Sequence, residues 1–319
     1  MEKIKVSIIG LGKMGNLHAK TILKNPNFQL HGIYDIDYYK ISSFCATHNI
    51  SDLIWFDSAK ECLDNSDAVI IATPATTHAE ILNHSGNCKY ILCEKPFVYQ
   101  YQSIHPVLYI RTIAPTMLEN VVTHVGHGER HHPATQELRR AVQNSEEPPV
   151  HIAFIRHSTA NRNTDVNLLW DTMVHDIDLL YYILGDKIHP TPTSIKPILI
   201  QLSDDASVDR FECLINFDSL ENGTIGRQVR VLLSCGKNQQ IQKREVAIEI
   251  GKNYFNLIDY NSPEYQQPKD NLTIQLEEFH KAILRENTEN CTMSQAKKVI
   301  ELVEKIDVEM FKMKTGLPI

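Results

Sequence analysis

A glycine-rich stretch near the N-terminus constrains the fold of this chain more than any other feature. In IKVSIIGLGKMGNLHAKTIL, a β-branched run leads into Gly10, Gly12 and Gly15 in the order G-x-G-x-x-G, and a helical pattern follows. The first glycine makes a tight turn, the second lets the backbone approach a pyrophosphate, and the third lets the helix pack on the strand. The sequence therefore predicts a nucleotide-binding turn that includes Lys13 and Met14, with the N-terminus of a helix facing phosphate groups.

An acidic residue follows the glycine turn at the expected spacing. The strand pattern FQLHGIYDID ends in Asp35, about 20 residues beyond Gly15, where a carboxylate can reach the hydroxyls of a ribose. Asp35 therefore favours NAD over NADP, although Lys40 leaves NADP open as an alternative. The competing interpretation of Asp35 is an ordinary carboxylate at the end of a strand.

Two further strand patterns place polar residues at one edge of the predicted sheet. DAVIIATPA at 67–75 and KYILCEKPF at 89–97 contain continuous apolar runs, which are typical of parallel strands buried on both faces. Ligands of such sheets bind at the carboxyl ends of the strands. Cofactor-binding candidates in this region are Thr73, Pro74, His78, Glu94, Lys95 and Pro96. Adjacent Glu94 and Lys95 also admit an explanation as a surface ion pair.

The apolar stretch LLWDTMVHDIDLLYYILG at 168–185 carries polar residues in a regular pattern. On a helix, Asp171, His175, Asp178 and Tyr182 fall on one narrow stripe, with apolar residues opposite. One interpretation is a solvated helix face that ends at Gly185. The other is a functional face, because residues four apart lie side by side on a helix.

The second half of the chain has a different strand pattern. Between 151 and 260, alternating apolar and polar residues predict a largely antiparallel sheet, and helical patterns at 271–286 and 294–312 close the chain. We predict an α/β Rossmann domain with a doubly wound parallel sheet over 1–122. An α+β domain with a largely antiparallel sheet, for substrate binding and oligomerisation, is predicted over 123–319.

Composition narrows the classes of function. The net charge is −7, and no basic cluster indicates binding to nucleic acid or to a membrane surface. The seven cysteines are widely spaced without a CxxC pair, so we expect reduced thiols and a cytoplasmic protein. The N-terminal apolar run is too short for a signal peptide. A small-molecule substrate is the remaining expectation.

Four motifs together resemble the Gfo/Idh/MocA oxidoreductases, named for glucose-fructose oxidoreductase and inositol dehydrogenase. They are GLGKMG, ATPATTH, CEKP and DTMVHDIDLL, and their order covers almost the whole chain. The resemblance implies that Lys95, Asp171 and His175 form the catalytic set beside a nicotinamide. It also implies a homo-oligomer built through the sheet of the second domain.

Within that family the sequence most resembles the UDP-N-acetylglucosamine 3-dehydrogenases, on VGHGERHHPATQELRRAV at 125–142 and on the stretches around 161–185 and 253–261. This resemblance implies a nucleotide-sugar substrate and a partner aminotransferase that makes a 3-amino sugar for lipid A. The sequence departs from the family pattern at Gly128, His131 and His132, and within 98–115. A free sugar or polyol such as inositol stays open as the substrate, as does a non-catalytic NAD-binding regulatory protein.

The ionisable side chains of the candidate residues suggest a role for each of them in catalysis or binding. Histidine side chains can titrate near physiological pH, so His175 is our candidate for the general base. Lys95 would polarise the substrate oxygen, although the reverse assignment stays open. Asp171 would orient Lys95 or the substrate hydroxyls. Arg130 either grips a substrate phosphate or carboxylate or forms a structural ion pair. The histidines of HVGHGERHH fit no metal-binding spacing, so we expect no metal.

Overall fold

A computed structural model describes residues 2–99, 121–160, 164–221, 223–252 and 254–316 of the chain. The chain divides into two compact units. The first contains residues 1–128 and 269–297, and the second contains 129–268 and 298–319. The unusual segment at 98–115 lies outside the described residues from position 100 onward.

The first unit is built on a parallel sheet. Its strands, numbered in chain order, are β1 (Ile4–Ile9), β2 (Phe28–Tyr34), β3 (Ile54–Trp55), β4 (Ala68–Ile71), β5 (Tyr90–Cys93), β6 (Val122–Val125) and β13 (Cys291–Thr292). The strand order is β13-β6-β5-β4-β1-β2-β3, and all neighbours are parallel except β13 with β6. The order runs outward in both directions from the β1–β4 pair. This confirms the predicted doubly wound sheet.

Helices alternate with the strands of the first unit. They are α1 (Lys13–Lys24), α2 (Tyr38–His48), α3 (Ala59–Asp64), α4 (Ala75–Leu82) and, near the C-terminus, α7 (Asn271–Ile283). The four residues of β4 and the last three of β5 are fully buried, as continuous apolar runs between helices require. The carboxyl ends of these strands therefore stand on a rigid frame.

The division of the chain differs from the predicted single boundary at residue 122. Residues 269–297 return to the first unit, where α7 contributes Leu276 and Phe279 to the core beneath β1. Phe279 stacks on Phe28 of β2 with ring centroids 6.2 Å apart. The pattern at 271–286 predicts a helix correctly, but an amphipathic pattern does not say which core its apolar face joins.

The second unit is built on a six-stranded sheet. Its strands are β7 (Pro149–His157), β8 (Ser194–Leu202), β9 (Val208–Glu221), β10 (Thr224–Gly236), β11 (Lys243–Ile250) and β12 (Tyr254–Asp259), in the order β12-β11-β7-β10-β9-β8. Only the β7–β10 pair is parallel. The predicted largely antiparallel sheet is confirmed.

The helices of the second unit are α5 (Pro133–Asn144) and α6 (Val174–Leu184), while α8 (Met293–Thr315) begins in the first unit and ends in the second. A π-helical turn over Leu169–Met173 leads into α6. The helix stops at Gly185, whose φ of +52° is a conformation that favours glycine.

The described residues include all seven cysteines and the long helices of the two units. All seven cysteines are free thiols. Burial raises the pKa of the Cys88 thiol to about 11, so it stays protonated at neutral pH. Within the described ranges, no helix has both the length and the apolar character that a membrane span requires.

Candidate functional site: a nucleotide-binding sheet edge and a polar helix

The glycine turn between β1 and α1 has the geometry that a nucleotide requires. At Gly10, where φ is +91°, a Cβ would lie 2.7 Å from the Cγ2 atom of Thr73, and at Gly15 it would overlap the carbonyl oxygen of Gly10. At Gly12, by contrast, nothing lies within 4 Å of the position of a Cβ. Gly12 is also the N-cap of α1 and has no side chain to cap the helix. Open space beside uncapped N–H groups suits a pyrophosphate.

The carboxylate of Asp35 fixes this turn as well as offering a contact to a ribose. Its Oδ2 atom accepts the N–H of Leu11 at 2.6 Å, and its Oδ1 atom accepts the N–H of Asp37 at 2.9 Å. The ammonium of Lys40 lies 3.3 Å from Oδ1. Asp35, which we expect to select NAD, therefore forms an ion pair with Lys40, the residue that left NADP open as an alternative. Asp35 also links the end of β2 to the glycine turn.

His78 lies at the predicted edge of the sheet, where its side chain contacts two main-chain carbonyl oxygens. It is fully buried on α4, with Nε2 3.0 Å from the carbonyl oxygen of Thr73 and Nδ1 3.0 Å from that of Pro96. Burial lowers the pKa of the imidazole. Since both ring nitrogens face main-chain carbonyls, His78 joins the loops after β4 and β5. In the structure His78 thus positions these two loops, and its contact with the cofactor stays a prediction.

Thr73 and Pro74 occupy the loop between β4 and α4. The Thr73 hydroxyl accepts a hydrogen bond of 2.7 Å from Thr77, and Pro74 is the exposed N-cap of α4. At the end of β5, Glu94 is buried and accepts the Nε2–H of His18 at 2.7 Å, while Lys95 is half-buried. The predicted candidates thus lie on two adjacent loops of one sheet edge.

In the second unit, the π-helical turn and α6 present the polar helix. Asp171 lies in the π-helical turn and His175 in the first turn of α6, and both are half-buried. Single π turns inside helices occur often at functional sites. The spacing of apolar residues predicts one continuous α-helix here. A π turn adds only one residue to a helical turn, and this addition does not visibly disturb the spacing. Lys95 belongs to the first unit, so the joint action of these three residues stays a prediction.

Arg130 and Asp178 form a buried ion pair. The Nε–H of Arg130 donates to Oδ2 of Asp178 at 2.8 Å and its Nη2 lies 2.5 Å from Oδ1, with the guanidinium side chain only 2% exposed. The guanidinium also lies 4.9 Å from the ring centroid of Tyr182. Of the two alternatives for Arg130, the structure shows the ion pair, and the grip on a substrate stays a prediction. The solvated-face interpretation is wrong for Asp178 and Tyr182, which are buried.

A second charged cluster surrounds Asp176 and was not predicted. The guanidinium of Arg156 donates to Asp176 at 2.6 Å and to Glu129 at 2.7 Å, and Arg244 lies 2.7 Å from Glu129. Burial favours the neutral acid, but Arg156, His175 and Arg244 together hold the pKa of the Glu129 carboxyl well below its usual range. Asp176 thus belongs to a structural ion-pair cluster. Glu129 is a carboxylate within electrostatic reach of His175.

The histidines of 124–132 have several different environments. His132 is the N-cap of α5, where its Nδ1 atom accepts the N–H of Ala134 at 3.3 Å and its ring stacks on Tyr260. Burial, and then the charge of Arg244, lowers the pKa of His132 to about 4. His124 lies in β6 with its ring 6.3 Å from that of Phe279. Packing and capping account for these two histidines.

Comparison with known proteins agrees with this architecture. Residues 4–110 match the model of an oxidoreductase family with an NAD-binding Rossmann fold, so the first unit is an NAD-binding Rossmann domain. The matching family is that of the Gfo/Idh/MocA oxidoreductases. The resemblance found in the motifs is thereby confirmed.

The chain is also similar in sequence to named sugar and polyol dehydrogenases. The chain is 27% identical over 229 residues to UDP-N-acetylglucosamine 3-dehydrogenase from Acidithiobacillus ferrooxidans, covering 70% of this chain and 66% of the relative. It is 30% identical over 196 residues to inositol 2-dehydrogenase 1 from Paenarthrobacter aurescens, covering 58% and 55%. The chain thus matches between about half and two thirds of the length of these curated relatives.

Solved structures show the same fold over nearly the whole chain. A structure of UDP-N-acetylglucosamine 3-dehydrogenase GnnA from Acidithiobacillus ferrooxidans has a TM-score of 0.79 at 22% identity, covering 97% of this chain and 98% of that one. GenD2 from gentamicin A biosynthesis, in complex with NAD, has a TM-score of 0.77 at 18% identity, covering 98% and 95%. The fold of this chain is therefore that of these two proteins.

Proposed function

We propose that this protein is an NAD-dependent oxidoreductase that removes hydride from a secondary alcohol of a sugar, specifically the 3-hydroxyl of UDP-N-acetylglucosamine. The glycine turn carries the proposal, because its open side at Gly12 fits the pyrophosphate of a dinucleotide while Asp35 is fixed beside it. The similarity to a UDP-N-acetylglucosamine 3-dehydrogenase supports this choice of substrate.

The chain's own residues would divide the proton chemistry. His175 takes the proton of the substrate hydroxyl as general base, and Lys95 stabilises the negative charge that develops on that oxygen. Asp171 orients Lys95 or the neighbouring hydroxyls. NAD, when bound, accepts the hydride that leaves the sugar carbon, so the products are a 3-keto sugar, NADH and one proton. Gly10, Gly12, Lys13, Met14, Gly15 and Asp35 hold the dinucleotide in this proposal.

The proposal also includes the surroundings of the reaction. An aminotransferase would consume the 3-keto product to make a 3-amino sugar for lipid A, in the cytoplasm where the thiols stay reduced. The second unit would form the contacts of a homo-oligomer.

The test measures NADH absorbance with purified protein, NAD and UDP-N-acetylglucosamine, with glutamate and the aminotransferase added to draw off the product. We expect turnover in the wild type and a loss of about 10²- to 10⁴-fold in Lys95→Ala and in His175→Ala. Lys89→Ala and His151→Ala are the matched controls, because both side chains are exposed and lie outside the proposed set. These controls should retain wild-type rates.

A second candidate substrate is a free polyol, which the similarity to inositol 2-dehydrogenases favours. Turnover with myo-inositol that exceeds turnover with UDP-N-acetylglucosamine would replace the first candidate. Tight NAD binding without turnover of either compound would favour the regulatory protein. Equal activity of Lys95→Ala and the wild type would rule out the proposed catalytic set.

A further inference from the structure

The first unit contains a buried polar pair that the proposed chemistry does not use. His18 lies on α1 with no exposed surface, and its Nε2 atom is 2.7 Å from Oε1 of Glu94, the residue directly after β5. Burying a carboxylate costs several kcal/mol unless charge and hydrogen bonds compensate. Ala19 and Ile22 already pack α1 on the sheet. The packing of α1 on the sheet therefore does not require the ion pair between His18 and Glu94.

The protonation of this pair follows from its contacts. Burial would raise the pKa of the Glu94 carboxyl, but the hydrogen bond from His18 and the charges of His18 and Lys95 outweigh burial and lower it. Glu94 is therefore ionised at neutral pH and can only accept hydrogen bonds. The proton between the two side chains consequently belongs to Nε2 of His18. The other carboxylate oxygen accepts the main-chain N–H of Lys95 at 3.3 Å.

A glycine encloses the same carboxylate from a third element. Gly126 follows β6 and donates its N–H to the carbonyl oxygen of Cys93 at 2.7 Å. A Cβ at Gly126 would lie 3.0 Å from the carboxylate carbon of Glu94 and from both of its oxygens. The carboxylate thus accepts hydrogen bonds from His18 and from the peptide N–H of Lys95, and Gly126 lies so close that a Cβ there would press on it.

We propose that His18 is a positioning residue that acts through Glu94 to fix the main chain of Lys95, and with it the direction of the Lys95 side chain. The inference rests on the proposed function, in which Lys95 touches the substrate. In this inference Glu94, which the sequence predicts as a cofactor ligand, also fixes the main chain of Lys95. Misplacement of a reacting group by about 1 Å costs about 100-fold in rate.

The first experiment compares His18→Leu with His18→Gln. Leucine is similar in volume but has no donor, whereas the glutamine amide can place an N–H close to the position of Nε2. We expect kcat to fall about 10- to 100-fold in His18→Leu, with the Kd for NAD changed less than about threefold, and His18→Gln to recover most of the rate. If His18→Leu keeps its kcat per folded molecule, or if glutamine rescues nothing, the positioning role is wrong.

The second experiment perturbs the carboxylate without changing a titratable group. Gly126→Ala forces a methyl group against Glu94, while Gly128→Ala is its matched control, because there the nearest atom to a Cβ lies 3.7 Å away. We expect kcat to fall about tenfold in Gly126→Ala and to stay unchanged in Gly128→Ala. Equal rates in the two variants would overturn the inference.

A third measurement does not depend on activity. The rate at which a lysine-directed acylating reagent modifies Lys95 is followed by peptide mass spectrometry in the wild type, His18→Leu and His18→Gln. We expect the rate at Lys95 to change in His18→Leu alone, while exposed Lys89 reacts equally in all three. An unchanged Lys95 rate overturns the positioning role. Absent turnover together with a changed Lys95 rate instead rejects only the proposed substrate.

Discussion

The carboxyl edge of the parallel sheet and the polar helix of the second unit both bring ionisable residues to buried positions, but by different means. At the sheet edge, Asp35 and His78 bind main-chain groups of neighbouring loops. On the helix, Asp176 and Asp178 bind guanidinium groups from distant parts of the chain. Loop geometry supports the first set and charge pairing supports the second. Single substitutions should therefore affect the two regions differently.

The largest effect on stability should come from the helix. Arg130→Met leaves the buried Asp178 carboxylate without its guanidinium, which should lower the free energy of unfolding by about 3–5 kcal/mol. The double variant Arg130→Met with Asp178→Leu should recover most of that loss, because it removes both charges. Chemical denaturation measures both values.

A matched control for Arg130 is Arg227→Met, whose pair with Glu147 is half-exposed. This control should cost less than about 1 kcal/mol. Arg130→Met could instead keep full stability and raise the KM for the sugar. That result would mean that the pair with Asp178 does not stabilise the helix and that Arg130 binds substrate.

An intermediate effect is expected at the sheet edge, on cofactor affinity. Asp35→Asn keeps an oxygen that can accept the N–H of Leu11 but loses the charge that would bind the ribose hydroxyls. The Kd for NAD, measured by calorimetry, should rise about 10- to 100-fold, since hydrogen bonds to charged groups contribute about 1.5–3 kcal/mol. Affinity for NADP should fall less, because a repulsive charge has been removed. The fold should keep its stability.

Asp37→Asn is the control for this change, because Asp37 caps α2 and asparagine caps equally well. Equal NAD affinity in the wild type and Asp35→Asn would mean that Asp35 only supports the turn. The sheet edge would then resemble the helix, because Asp35 would bind only other groups of the protein and not the cofactor.

The smallest effect should be a pH dependence at the start of α5. Burial and Arg244 lower the pKa of His132 to about 4, below its value of about 6.5 in the unfolded chain. This histidine therefore imposes no cost above about pH 6.5, and stability is lost as the pH falls from there toward 4. Protonation also prevents Nδ1 from accepting the N–H of Ala134.

His132→Asn should flatten this part of the stability profile, because asparagine caps a helix without titrating in this range. Thermal unfolding across this pH range provides the measurement. A profile identical to that of the wild type would show that other groups cause the acid loss. His151→Asn, at an exposed position on β7, serves as the control.

The difference between the two regions also explains what could be predicted from the sequence. The glycine turn was predictable because glycine spacing fixes backbone geometry, and the alternation of strands and helices fixed the parallel sheet. The pairing of Arg130 with Asp178 was not, since residues 48 apart in the chain leave no periodic signal. His18 was visible only as part of a helical pattern. Its position three residues after Gly15 on the buried face of α1 was the signal that could have marked it.

The return of residues 269–297 to the first unit affects how this protein can be made. A gene fragment ending at residue 128 would encode a Rossmann sheet without its β13 edge strand and a core without Leu276 and Phe279. On the ribosome, the N-terminal unit likewise stays incomplete until residue 297 of 319 has been synthesised. A nascent chain must keep the bare edge of β6 from pairing with other chains during this interval.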